Sequence, residues 1–404
     1  MMKPGMSGEF VRVFTQDGLE LNGFFQPGGT KDSRPRTRDL GLVHVHGWDG
    51  NFYENRFIDY AAQVCSRMGI GFVSGNNRGH DYISDILRSR RNQKSETRNQ
   101  NAELADPVFT TKTLRHQDDV RRDQKAESAR SITTKTQSHK ENSESSPAPS
   151  PQSLITGDYV QIGGMYEKLT DCVPDIKAWV DFAVGRGAKR IILQGHSHGA
   201  IKATHYLVTT RDPRVCGLIL LSPSDDMGIA RKQLGDRFLW VLARARELAR
   251  AGKGRQLLPE RDTQYPVSAA TFFDCHNKGS ITGMFNMSRT DRYEFPELAS
   301  ISVPVLTAVG TVEEAFVGAP RKYVEDIRSC MVNCPSFTGA VVEGAPHNYL
   351  GRETQLAAVL RRWLVKASDG QIRSRKPETR GQKEEPEIYH QDTKGLDLRT
   401  ANHR

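Results

Sequence analysis

The chain has 404 residues, with 57 lysines and arginines set against 48 aspartates and glutamates. The resulting charge of +9 lies in three polar segments, which carry +3 (residues 31–38), +4 (88–153) and +2 (366–404). The remaining body is neutral on balance and long enough for a large core, so a basic nucleic-acid-binding domain is not indicated. No stretch approaches the roughly 20 apolar residues of a membrane span. Residues 1–10 show no apolar run behind a basic start, so no secretory signal is expected and the expected location is cytoplasmic. The six cysteines are scattered, with one C-x3-C spacing at Cys330 and Cys334, and are expected as reduced thiols.

The predicted elements alternate. Val11 and Val13 alternate with Phe10, Arg12 and Phe14, and residues 21–25 follow Asp17-Gly18, which predicts a two-stranded hairpin. Residues 40–46 form a continuous apolar run ending at Gly47, as suits a strand buried on both faces. Phe57, Tyr60, Ala61, Val64 and Met68 sit at helical spacing before Gly69, a suitable C-cap. Residues 70–74 read as a strand. From Arg88 the apolar pattern stops, and residues 88–153 end in a Ser/Pro tract, so this insertion is expected to be disordered, with a short helix allowed at 117–129. Order is expected to resume at 159–162. A helix over 171–184, a strand at 190–193, a helix over 198–208 and a strand at 215–221 follow. A further strand at 303–309, a short one at 341–343 and a closing helix over 356–365 complete the pattern.

Such alternation predicts an α/β fold with a mostly parallel central sheet flanked by helices. Residues 222–302 lack strand character, and 231–250 look helical, so a helical cap over the sheet's C-terminal edge is expected. The predicted organisation is core over 1–87, disordered polar insertion over 88–153, core over 154–223, cap over 224–300, core over 301–365 and disordered tail over 366–404.

The chemistry-bearing signal is Gly195-His196-Ser197-His198-Gly199, placed between a buried strand and a helix. That is the context a nucleophile elbow requires. Serine sits in a tight turn, the flanking glycines let backbone approach, and the helix N-terminus supplies amides where an oxyanion develops. A second amide donor is expected from His46-Gly47-Trp48-Asp49-Gly50, so the candidate oxyanion hole is the backbone N–H of Trp48 and of His198. His347, in a loop after the last short strand, is the candidate general base. Glu313 and Glu314, after the strand that ends at Gly310, are both candidates for the acid that orients it. Trp48 either lines an acyl pocket or braces the turn. Met284, Phe285 and Met287 form an apolar patch that either binds substrate or fills the cap's core.

Together these motifs and Asn77-Arg78-Gly79-His80 resemble the α/β-hydrolase superfamily, near its serine aminopeptidase-like and lipase/esterase-like branches, from residue 10 to 365 apart from the insertion. The resemblance implies the α/β-hydrolase fold and a catalytic triad in the order Ser197, acid, His347. It selects Glu313, three residues after the strand-ending glycine, although Asp is commoner there. It implies a serine hydrolase that cleaves a carboxylic ester, thioester or amide of a small to medium organic substrate through an acyl-enzyme, with no cofactor and no metal. An acyltransferase with the same triad and a nucleic-acid-associated protein acting through Arg88, Arg90 and Arg91 are the alternatives. The pairs His44-x-His46 and His196-x-His198 have the spacing of metal ligands, but no convincing carboxylate cluster accompanies them in the sequence.

Overall fold

The computed structural model describes residues 8–28, 37, 39–89, 157–263, 265–289, 294–368 and the backbone of 388–389. The chain begins with the antiparallel hairpin β1 (Glu9–Phe14) and β2 (Glu20–Gln26), turned at Asp17 and Gly18, where Gly18 adopts φ 85°. Then come β3 (Leu40–Val45), α1 (Phe57–Met68) and β4 (Gly71–Gly75). Gly69 caps α1 in the left-handed region at φ 72°, as its position predicted.

β5 (Ser84–Ser89) and β6 (Gly157–Ile162) pair as a separate antiparallel two-stranded sheet. Arg88, expected to begin disorder, instead lies opposite Asp158 in this ladder. The strand carries just two apolar residues, Ile86 and Leu87, and its partner is distant in sequence, so local pattern gave no sign of it. The remainder of the expected disorder, with the short helix allowed at 117–129, lies outside the described residues.

After α2 (Cys172–Gly185), β7 (Arg190–His196), α3 (His198–Thr210) and β8 (Val215–Leu221), five α-helices lie among the described residues of the expected cap region. They are α4 (Asp226–Leu234), α5 (Arg237–Arg250), α6 (Glu260–Thr263), α7 (Ala269–His276) and α8 (Pro296–Ala299). The single helix expected at 231–250 is broken because Gly235 takes φ 53° between α4 and α5. The core resumes with β9 (Val305–Val312), α9 (Pro320–Cys330), β10 (Phe337–Pro346) and α10 (Glu353–Ser368). In the tail, β11 (Ile388–Tyr389) pairs with Gly339 and Ala340, a departure from the expected disorder, and the rest of that segment is outside the described residues.

The main sheet runs β1-β2-β4-β3-β7-β8-β9-β10-β11, with antiparallel pairing at β1-β2 and β2-β4 and parallel pairing elsewhere. Alternation along each central strand feeds two cores. Val43, Val45, Ile191, Leu193, Leu218 and Leu220 join α2, α3 and α9 on one face. Leu40, Leu42, Ile192, Ile219 and Leu221 join α1 and α10 on the other. Burial of each such aliphatic side chain stabilises the fold by roughly 1.5–3 kcal/mol. Because β3, β7, β8, β9 and β10 run parallel, the C-terminal ends of β3, β7, β9 and β10 open to the same edge, which is where the candidate residues fall.

Candidate active site

Strand β7 ends at His196, and Ser197 turns directly into α3 with φ 58° and ψ −131°. A non-glycine residue held there is strained, and the surroundings enforce it. The Ser197 amide donates to the Leu221 carbonyl at 2.9 Å, and the Ser197 carbonyl accepts from Ala200 N–H at 2.9 Å. A side chain at Gly195 would meet the Gly199 carbonyl oxygen at 2.2 Å, and one at Gly199 would meet the Val45 carbonyl oxygen at the same distance. The two glycines of the motif are therefore required by backbone contact on either side of the serine. His198 is the first residue of α3, where an amide has no intrahelical acceptor.

The turn after β3 lies over the serine. A Cβ on Gly47 would stand 3.0 Å from Ser197 Cβ and 3.5 Å from its Oγ. The Asn76–Gly79 turn after β4 fixes this loop. Asn77 N–H donates to His46 Nε2 at 3.0 Å, and His46 Nδ1 donates to the Gly47 carbonyl at 2.9 Å. Phe52 N–H donates to Asn76 Oδ1 at 3.0 Å, a bond that a carboxylate would accept as well. The turn is itself anchored by Arg78, whose guanidinium bonds the buried Asp175 and, at its other side, Asp17. Arg88, one of the arginines of the nucleic-acid alternative, also faces Asp17, at 3.5 Å.

His347 follows β10 directly, and its Nδ1 lies 2.7 Å from Glu313 Oε1. The same oxygen accepts from the amides of Glu314 and Ala315, each at 3.1 Å. Burial pushes the Glu313 carboxyl up, but the hydrogen bond and charge of His347 outweigh it and hold the group below its ordinary value. Glu314 is exposed and contributes its amide. The structure thus brings Glu313, and not Glu314, onto the imidazole. The His347 carbonyl accepts from His196 Nε2 at 3.0 Å, which seats the loop beside the elbow. His196 is fully enclosed, and burial lowers it to about 3, so it serves as a neutral donor.

Met284 and Phe285 are fully buried and belong to the core shared with α3, as the core-filling alternative expects. The Phe285 carbonyl accepts from Tyr323 at 3.0 Å. Apolar residues at short spacing read alike on a pocket wall and in a core, and here they fill the space under the inserted helices. His44 Nδ1 accepts from Gln194 Nε2 at 2.9 Å and His46 is committed as above; among the described residues no group of three His, Cys, Asp or Glu side chains able to hold a metal occurs.

Sequence reasoning missed Asp226 and Tyr265. Asp226 Oδ2 stands 2.5 Å from His198 Nδ1, and the Trp48 ring lies edge-on to His198 at 5.1 Å and to Tyr265 at 6.0 Å. Their one available signal was the Asp225-Asp226 pair at the head of α4, which reads as an ordinary helix start.

The sequence profile of the serine aminopeptidase (S33) family matches residues 160–340, which contain Ser197 and Glu313. Among solved structures, Est1E from Butyrivibrio proteoclasticus with ferulic acid bound superposes with a TM-score of 0.50 at 16% identity, covering 88% of this chain and 99% of that one. DcsB in complex with its substrate analogue gives 0.51 at 11% identity, covering 91% and 100%. No curated protein matches. The chain has the α/β-hydrolase fold. It has the mostly parallel sheet and flanking helices expected from the sequence. No helix among the described residues is long and apolar enough to cross a membrane.

Proposed function

We propose that the chain is a carboxylic ester hydrolase working through Ser197, His347 and Glu313. The observation that carries this reading is the conjunction at one sheet edge of a strained serine and a carboxylate-held imidazole. Ser197 sits at φ 58° between two obligatory glycines, and His347 is bonded to Glu313 at 2.7 Å. Glu313 fixes the Nδ1–H tautomer of His347 and leaves Nε2 as the base. His347 takes the proton from Ser197 Oγ, which attacks the substrate carbonyl carbon. The tetrahedral oxyanion is held by the amides of Trp48 and His198, supported by the helix N-terminus at His198. His347 then protonates the leaving oxygen, an acyl-enzyme forms, and water activated by His347 releases the acid and restores the serine.

An ester is the favoured substrate because an alcohol departs more readily than an amine and demands less of the acid step. We read the inserted helices as a cap whose Trp48-facing side, with Tyr265, contributes to the acyl pocket. Six free cysteines accord with a cytoplasmic enzyme. The test is steady-state hydrolysis of p-nitrophenyl esters of graded acyl length by the wild type and by Ser197→Ala. Turnover of at least one ester, lost in the variant, is expected. Equal turnover by both proteins would overturn the assignment.

A further inference from the structure

A second imidazole–carboxylate contact lies beside the first, and the mechanism above leaves it unused. His198 directly follows the candidate nucleophile and is 2% exposed. Its Nδ1 meets Asp226 Oδ2 at 2.5 Å. Asp226 opens α4, behind Asp225, whose side chain caps the helix by accepting from Gly228 N–H at 2.8 Å. The carboxylate therefore sits at a helix N-terminus, where negative charge is favoured. Burial raises the Asp226 carboxyl, but the charge and hydrogen bond of His198, with the charge of His276 from α7, hold it below its ordinary value. It stays ionised, and the His198 proton on Nδ1 is fixed toward it.

The contact bears on the oxyanion hole because both proposed donor residues share it. The Trp48 ring packs on the His198 ring at 5.1 Å with planes at 63°. On its other sides the indole meets Tyr265 at 6.0 Å and the backbone of Gly164, where an added Cβ would fall 2.8 Å from Trp48 Nε1. Trp48 and His198 thus brace each other through their rings while their amides serve one oxygen. Asp226 fixes this ring pair to the helices between β8 and β9.

We propose that Asp226 is a positioning residue that acts through the His198 imidazole, aligning the His198 and Trp48 amides on the developing oxyanion. The proposal rests on the reading of Ser197 as nucleophile. A donor displaced by a fraction of an ångström loses transition-state stabilisation that the ground state never used, so the effect belongs in kcat. A residue that merely anchored the helices would move stability and KM as well.

The experiment measures ester kinetics and the rate of fluorophosphonate modification of Ser197, with melting temperatures, for the wild type and four variants. Asp226→Asn is expected to lose about tenfold in kcat and in modification rate with KM within about twofold, and Asp226→Glu to recover part of the loss. His198→Asn, which keeps a donor where Nδ1 stood, is expected to outperform His198→Leu, and this pair decides the matter should Asp226→Asn not fold. Unchanged kcat and modification rate in Asp226→Asn, or equal losses in His198→Asn and His198→Leu, would overturn the proposal. A wild type that takes no label at Ser197 would instead overturn the nucleophile assignment on which it stands.

Discussion

His347–Glu313 and His198–Asp226 use the same contact, an imidazole Nδ1 on a carboxylate oxygen, at 2.7 and 2.5 Å. Their surroundings separate them. His347 stands on a loop after β10 with its side chain 24% exposed, so its second nitrogen has room to meet a substrate. His198 is enclosed between α3, α4 and the Trp48 ring. Contact chemistry sets the tautomer in both pairs; in the proposed mechanism, access then assigns proton transfer to His347 and the holding of a donor to His198.

The comparison breaks most sharply at His347. His347→Ala is expected to lower kcat by about 10⁴–10⁶-fold, as removal of a triad base does, against about tenfold for Asp226→Asn. Similar losses from the two changes, measured with one ester under saturating conditions, would erase the distinction between base and brace. Glu313→Gln keeps the shape and removes the charge, so a loss of about 10²–10⁴-fold in kcat is expected.

The same variant has a pH signature. The Glu313 carboxyl is lowered in the folded chain from 4.5, so its contribution to stability is complete above about pH 4.5 and is lost as pH falls through the folded value. The melting-temperature gap between wild type and Glu313→Gln should therefore be widest above pH 4.5 and close below it. A gap that widens on acidification would contradict the assigned pair. Glu314→Gln is expected to change kcat by less than about twofold, since its exposed carboxyl leaves the imidazole to Glu313. A larger loss there would move the acid to Glu314.

The elements that follow a short apolar period were legible in the sequence. β8 was expected at 215–221, where it lies, and β3 and α1 differ from expectation by a residue at one end. The elbow was legible for a related reason, since Gly195 and Gly199 are dictated by backbone approach within one local turn. What escaped depended on distant partners. β5 becomes a strand because β6 pairs with it across the insertion. α9 has a Pro at its first turn and an apolar stripe of Tyr323, Val324 and Ile327, but it lies in a charged stretch and is recognisable chiefly by what it covers. Asp226 meets His198 across 28 residues of chain, and no spacing rule connects them. Met284 and Phe285 show the converse, since composition left pocket wall and cap core open and only three-dimensional packing places them in the core.

The central claim is that Ser197 is the nucleophile activated at this sheet edge. Treatment with a fluorophosphonate probe followed by peptide mass spectrometry tests it most directly. A single covalent adduct on Ser197 in the wild type, absent from Ser197→Ala and strongly slowed in His347→Ala, is the predicted result. Equal labelling of wild type and Ser197→Ala, or an adduct on another residue, would contradict it.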